Sequence, residues 1–358
     1  MNEAEFQESG ESEKVSKPLP SEELIINLLG DELPWRAASR CLVLSPGRAQ
    51  LADSLVGRGK DEVQAWHLDL HDASCTQAEC HDSVDVLCGP DLPEHVYDLI
   101  AFPTLKRGEV ELTRDLLQQA HCRLDSGGYL VASVNNPKDT WLHDQMRSMF
   151  DKVTNVRQAG GCIYWGKKTS ELKKMKDFSR QFDFKEREHI LQLYTRPGVF
   201  SHRRLDPGAR QLLNAVDIGS ADNVLDMGCG GGAISLAAAK FTKGQVFGVD
   251  ANARAVQCLA KGAELNELDN VVPIWNADGQ LSIDCEIDLA LANPPYFGDH
   301  VISQHFVDTC TSVLRPGGAL LVVTKQPNWY EAYFDNLLED VEFFESARYF
   351  VVCGRKPL

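Results

Sequence analysis

Val224-Leu225-Asp226-Met227-Gly228-Cys229-Gly230-Gly231-Gly232 is an apolar run that ends in an acid and passes at once into a glycine-rich turn. A helical pattern resumes directly after it, so the stretch reads as strand, tight turn, helix. Glycine belongs where the backbone turns sharply and must approach a ligand closely. Outward from this point, apolar runs recur at 223–227, 245–249, 271–275, 288–292, 319–324 and 349–353. Helical patterns such as 253–265 and 303–314 lie between them. Short β-rich runs that alternate with amphipathic helices specify an α/β fold with a mainly parallel sheet.

The first half obeys the same grammar. Candidate strands lie at 41–44, 84–87, 99–102, 129–134 and 162–165, with helices at 47–56 and 110–121. Tyr97-Asp98-Leu99-Ile100-Ala101 aligns with Ile287-Asp288-Leu289-Ala290-Leu291 at an offset of 190. At that offset Leu124-Asp125-Ser126-Gly127-Gly128 also meets Leu314-Arg315-Pro316-Gly317-Gly318. The ends correspond too, Tyr164-Trp165-Gly166-Lys167 with Val352-Cys353-Gly354-Arg355. Three matches in one order predict a duplication: two tandem Rossmann-like domains, each a mostly parallel sheet flanked by helices. The expected division is an acidic disordered tail over 1–20, a first domain over 21–168, a basic linker over 169–195 and a second domain over 196–358. The first copy has lost the distinctive features of the second. It offers Leu44-Ser45-Pro46-Gly47 in place of the glycine-rich turn, and Pro103 at the offset of Asn293.

Three further features follow the turn. Val246-Phe247-Gly248-Val249-Asp250 is a strand that ends in an acid 24 residues after Asp226. A carboxylate at that tip can accept both hydroxyls of a ribose. The spacing of the glycines suits either a dinucleotide or S-adenosylmethionine, and Asp250 does not separate the two. Asn276-Ala277-Asp278 places a carboxylate after the next strand, where it can accept from an adenine amine or simply shape a turn. Asn293-Pro294-Pro295-Tyr296 is the deciding feature. Two consecutive prolines cannot continue a central strand, so the chain leaves the sheet there. The Asn293 amide oxygen and the Pro294 carbonyl can both accept from a planar NH2 group, and Tyr296 offers a face on which a flat ring can stack.

Composition bounds the answer. The chain has 358 residues, 43% of them hydrophobic, and no apolar run long enough to span a membrane. It opens without a secretory signal pattern, which predicts a cytoplasmic protein. With 36 basic and 52 acidic residues its net charge is −16, unlike a general nucleic-acid binder. Yet twelve Lys or Arg fall between Lys167 and Arg210 against six acids. Phe178, Phe182, Phe184, Tyr194 and Phe200 are interleaved with them, which predicts a track for nucleic acid. The eleven scattered cysteines predict reduced thiols. His67, His71, Cys75, Cys80, His81 and Cys88 cluster, but their irregular spacing does not fit a zinc site.

On these motifs the C-terminal half resembles the class I S-adenosylmethionine-dependent methyltransferases that carry the Asn-Pro-Pro-Tyr/Phe signature of amino-group methylation. From about residue 35 to residue 358 the chain is similar to the ribosomal RNA guanine-N2 methyltransferases of the RsmC/RlmG type, whose N-terminal half is a degenerate copy of the catalytic one. Arg196-Pro197-Gly198-Val199-Phe200-Ser201 and Leu205-Asp206-x-Gly208 also resemble the segment that leads into that family's catalytic domain. The resemblance implies S-adenosylmethionine as cofactor, held by Asp226, Gly228, Cys229, Gly230, Gly232, Asp250, Ala251, Ala277, Asp278 and Asn293. It implies Asn293, Pro294 and Tyr296 as catalytic, no metal, and ribosomal RNA or a ribosomal subunit as partner of a monomer, with no membrane. The chain departs from the family pattern at Phe297, where a His is expected, and at Thr324-Lys325-Gln326-Pro327-Asn328-Trp329-Tyr330. The resemblance implies that both stretches shape the base pocket, which leaves the target nucleotide open. Competing readings are a protein glutamine or DNA adenine methyltransferase, and a non-catalytic RNA-binding or assembly protein. An NAD-dependent oxidoreductase leaves residues 293–296 unexplained.

Overall fold

The structure is a computed structural model that describes residues 16–30, 32–295, 300–346 and 348–358. Most of the expected tail, together with Tyr296 and Phe297, lies outside the described residues.

The first half runs α1 (Pro20–Leu28), β1 (Arg40–Leu44), α2 (Gln50–Val56), β2 (Glu62–His67), α3 (Leu70–Glu79), β3 (Val84–Cys88), β4 (Tyr97–Thr104), α4 (Val110–Arg123), β5 (Leu124–Val134), α5 (Trp141–Arg147), β6 (Val153–Gln158) and β7 (Gly161–Lys167). A hairpin follows, β8 (Arg180–Glu186) and β9 (His189–Thr195). The second half runs α6 (Pro207–Ala215), β10 (Val224–Met227), α7 (Ala233–Phe241), β11 (Val246–Asp250), α8 (Ala253–Leu265), β12 (Val271–Trp275), β13 (Ile287–Ala292), α9 (Val301–Val313), β14 (Leu314–Thr324), α10 (Pro327–Phe334), β15 (Glu339–Ser346) and β16 (Tyr349–Arg355).

Each half builds a seven-stranded sheet in the same order, β3-β2-β1-β4-β5-β7-β6 and β12-β11-β10-β13-β14-β16-β15. Five strands of each are parallel, and the last two join antiparallel. The repeat of topology is the duplication in physical form. Central strands such as β10 are buried on both faces, so they read as continuous apolar runs and not as alternation.

The segment expected as a linker is more ordered than that. The β8–β9 hairpin turns Phe184, Leu191 and Leu193 into the apolar core of the second half, against Val224 and Leu236. Asp183 and Lys185 flank Phe184, and Gln192 separates the two leucines, so composition alone reads the segment as a polar connector. The acidic segment is likewise tied down from Ser16 onward: the Gln50 side-chain amide donates to the Ser16 carbonyl, and α1 begins at Pro20.

The halves meet across a near-symmetric seam. Asp69 and Asn252 face each other as an isolated antiparallel bridge. Leu70 N–H donates to Ala251 O and Ala253 N–H to Leu68 O, both at 2.9 Å. Each of the bridging residues also caps the helix that follows it, α3 and α8. Arg254 locks the seam. It is fully buried and donates to Pro90 O, Pro197 O and the Asp115 carboxylate. Arg196 pairs with Asp91 across the same boundary.

Candidate active site

The site is assembled by two adjacent strands. Met227 of β10 is the register partner of Ala292 of β13. The next residues, Gly228 and Asn293, therefore leave the sheet side by side at its carboxyl edge, where open α/β sheets bind ligands. The glycine-rich turn opens α7 from there.

Two glycines show why nothing larger serves. Gly228 has φ +76, and a Cβ would lie 2.6 Å from the Phe306 ring, so the protein's own packing demands glycine. Gly230 has φ +53, and among the described residues the only heavy atom near its absent Cβ is Phe200 Cβ at 3.9 Å. The space over Gly230 is open to a ligand. The cradle thus fits a close-approaching cofactor.

The carboxylates differ from one another. Asp250, at the tip of β11, accepts from Gly230 N at 2.8 Å and Asn252 N at 2.9 Å. Burial pushes its pKa up to about 6, against the opposing pull of those two N–H groups. Asp226 does not face the surface as its expected ligand role suggests. It is fully buried beneath the turn, because β10 is a central strand, and Ser235 Oγ donates to its Oδ2. Burial pushes its pKa up to about 7. Among the described residues its Oδ1 has no hydrogen-bond partner, a demand for a donor under the glycine turn. Asp278 is exposed and shapes its own turn, accepting from Gln280 N and Asn276 Nδ2. Its pKa is lowered by those two bonds. Ala277 is half-buried beside it. Cys229 is buried, and its thiol is pushed far up by that burial. Ala251 faces the seam, with its carbonyl shared between Leu70 N and the Trp275 indole N–H.

Asn293 is half-buried, and its Nδ2 donates to Asp206 Oδ2 at 2.9 Å. Pro294 is buried. Sequence reasoning gave no role to Asp206, to Trp275 or, at this site, to Phe200. Trp275 is 40% exposed opposite Asp250 in the register, and Phe200 is 66% exposed above Gly230. An exposed aromatic at a strand tip was the available signal for Trp275.

The basic track is corrected more substantially. Phe178 and Phe184 are buried, and Phe182 and Tyr194 pack against apolar cores, which leaves Phe200 alone exposed among the five. Arg180 and Arg203 pair with Glu111, Arg196 with Asp91, Arg210 with Glu186 and Lys168 with Glu171. These cations hold the two halves and the hairpin together. Lys173, Lys174 and Lys176 remain exposed, and among the described residues no carboxylate pairs with them. Lys174 and Lys176 line a cavity of about 250 Å³ with Arg114, Gln118, Gln145 and Ser148.

In the first half the corresponding cradle is filled. A Cβ on Gly47 would sit 2.9 Å from the Leu19 side chain, because α1 lies over the turn. β4 runs straight through Pro103, paired with Ser133, where β13 ends before Asn293. All eleven cysteines are free thiols, and among the described residues no three His, Cys, Asp or Glu side chains converge as metal ligands. No described helix is long and apolar enough to cross a membrane.

A methyltransferase small domain matches residues 190–354. The chain is 29% identical over 312 residues to the ribosomal RNA small subunit methyltransferase C of Pseudomonas entomophila, covering 84% of this chain and 90% of that one. It is 33% identical to the Hahella chejuensis protein of the same name over 51% of this chain and 56% of that one. It is 31% identical to the ribosomal RNA large subunit methyltransferase G of Shewanella amazonensis, over 46% of this chain and 45% of that one. The last two matches span about half of each relative's length. Among solved structures, a T. thermophilus 16S rRNA guanine-N2 methyltransferase in complex with AdoMet and guanosine shares the fold. Its TM-score is 0.78 at 23% identity, covering 94% of this chain and 92% of that one.

Proposed function

From a chain that belongs to the class I S-adenosylmethionine-dependent methyltransferases and is similar to their ribosomal RNA guanine-N2 branch, we propose methyl transfer from S-adenosylmethionine to the exocyclic N2 amine of a guanine in ribosomal RNA. The observation that carries this reading is the pairing of Met227 with Ala292, which sets the cofactor turn beside Asn293 and Pro294. Asp250 would hold the ribose, the turn from Gly228 to Gly232 the methionine end, and Ala277 and Asp278 the adenine edge.

S-adenosylmethionine, when bound, supplies an electrophilic methyl carbon on a sulfonium centre. The chain's own residues must make a poor nucleophile attack it, since an aromatic amine shares its lone pair with the ring. Asn293 Oδ1 and the Pro294 carbonyl accept the two NH2 hydrogens, which draws the lone pair out of conjugation and aims it. The rate gain is then positioning and electrostatics. No strong base is required before attack, because the nitrogen becomes acidic only as the new bond forms. A base stacked in a duplex cannot enter such a site, so the acceptor is unpaired, flipped or in a partly assembled particle.

The cavity lined by Arg114, Lys174 and Lys176 supports a second element of the proposal. It concentrates unpaired cations in an otherwise acidic chain, as contact with RNA phosphates requires. A ribosomal RNA acceptor supports a cytoplasmic location. The seam between the halves already supplies within one chain what a dimer interface would supply, which favours a monomer.

The test is transfer of labelled methyl groups to isolated small and large ribosomal subunits from cells lacking this protein, followed by identification of the nucleoside. N2-methylguanosine in one subunit is expected. Label appearing in adenine or in protein glutamine, and not in guanine, would overturn the acceptor assignment.

A further inference from the structure

We propose that Asp206 is a positioning residue for methyl transfer, which fixes the end of the Asn293 amide that meets the acceptor. This rests on the reading of Asn293 as the hydrogen-bond acceptor for the target amine. Asn293 Nδ2 donates to Asp206 Oδ2 at 2.9 Å, across 87 positions of sequence. A carboxylate has no hydrogen to give, so the group that faces it must be the amide NH2. The two ends of an Asn amide are nearly identical in shape, and only such a partner distinguishes them. Oδ1, the amide's only strong acceptor, is then the end presented to an incoming NH2. The reverse orientation would set NH2 against NH2 at the acceptor and oxygen against oxygen at Asp206. The Pro294 carbonyl needs no such control, since a backbone oxygen cannot exchange places with a nitrogen.

Asp206 is itself held firmly. It is the N-cap of α6, where the same Oδ2 accepts from Ala209 N at 2.9 Å, and Pro207 fixes the first helical residue. Leu212 and Leu213 bury the helix in the core. The duplicated half provides an internal comparison. Its α1 begins Leu19–Pro20 where α6 begins Asp206–Pro207, and Pro103 stands at the offset of Asn293. The acid and the amide are thus absent together. α1 also forms without a side-chain cap on its downstream N–H groups. A helix at this place in the fold therefore does not require the acid, and its contact with Asn293 is an additional task.

Three variants separate that task from helix capping. Asp206→Ser keeps a good cap, but its side chain is too short to reach the amide. Asp206→Asn keeps an oxygen that can accept from both partners. In Asp206→Ser, kcat for methyl transfer should fall at least about tenfold, with melting temperature and S-adenosylhomocysteine affinity unchanged. Asp206→Asn should restore most of the rate. In an Asn293→Ala background Asp206→Ser should cost nothing further, because its effect passes through that amide. A rate for Asp206→Ser within about twofold of wild type, or a full further loss in the Asn293→Ala background, would overturn the proposal. A second measurement needs no acceptor. The Asn293 side-chain amide signal of the 15N-labelled chain, assigned by its absence in Asn293→Ala, should exchange with water at least about tenfold faster in Asp206→Ser. Unchanged exchange would overturn the proposal. If the wild-type chain methylates no guanine in either subunit, the guanine assignment fails alone, and the amide measurement still decides Asp206.

Discussion

At the residue scale two carboxyls of the site, buried Asp226 and half-buried Asp250, should make cofactor binding pH-dependent. Asp250 titrates near 6 and Asp226 near 7, against an ordinary value of 3.8. These two carboxyls thus hold more protons in the folded chain than in the unfolded one between about pH 4 and pH 7, and their contribution to stability without cofactor falls as pH rises through that window. Ribose hydroxyls donate to an ionised Asp250, so binding favours loss of its proton. Affinity for S-adenosylhomocysteine should rise with pH and level off above about pH 6.5, with proton release seen by calorimetry below it. Asp250→Asn should flatten the profile, and a flat wild-type profile would show that this carboxyl is not coupled to the ligand. Gly230→Val should abolish binding, since a branched side chain would occupy the open space over the turn. Retained affinity, measured by the same titration, would remove the cradle assignment. Asn293→Ala should leave affinity within a few fold yet slow transfer by about a hundredfold. These residues were legible because each lies within a few positions of a strand end. Asp206 was not, since its partner is 87 positions away and the helix between the junction and β10 gave no sign of facing it.

At the element scale, what held up from sequence was whatever is local. The central strands of both halves lie where apolar runs placed them, and the end of β13 falls at the double proline. β2, β6, β8, β9 and β15 escaped, because their short apolar stretches are interrupted by polar or charged residues and resemble a polar connector. The seam was also invisible, since it depends on groups far apart in sequence. Arg254 reaches Asp115 over 139 positions. It sits in the first turn of α8, directly after the β11 tip that carries Asp250, so the seam braces the cofactor site from behind. Removing a buried, fully bonded guanidinium strands Asp115 and the carbonyls of Pro90 and Pro197. Arg254→Ala should therefore lower stability by about 3–5 kcal/mol in urea unfolding. It should also split one transition into two as the halves uncouple. A loss below about 1 kcal/mol would show that the two halves are held chiefly by the other seam contacts, the Asp69–Asn252 bridge and the Arg196–Asp91 pair among them.

At the scale of the whole molecule, the proposed RNA acceptor is a polyanion that a chain of net charge −16 would have to bind. Phosphate contacts cannot be spread over such a surface and must be concentrated. The sequence located the concentration between residues 167 and 210 but could not show how much of it is spent internally. Glu111 and Asp91, which neutralise Arg180, Arg203 and Arg196, come from the other half of the chain. Of the cations there that make no ion pair among the described residues, Lys174 and Lys176 line a cavity of the first half with Arg114, and Lys173 is the chain neighbour of Lys174. The duplicated half has Leu19 over the turn that corresponds to the cofactor cradle and offers cations instead, so on the proposed reading the first copy would serve recognition and the second chemistry. Reversing Lys173, Lys174 and Lys176 to Glu should weaken binding to single-stranded ribosomal RNA fragments. If all three contact phosphates, the slope of log K against log salt should become shallower by about 2, at about 0.7 per contact. Cofactor affinity should not change, because none of these residues approaches the glycine-rich turn. The decisive comparison is Arg203→Glu, which disturbs a paired cation of the same segment. It should alter the seam's stability and leave the salt slope alone. Equal slopes for the triple reversal and wild type would show that these lysines are only a solvated face, and that the RNA is held elsewhere.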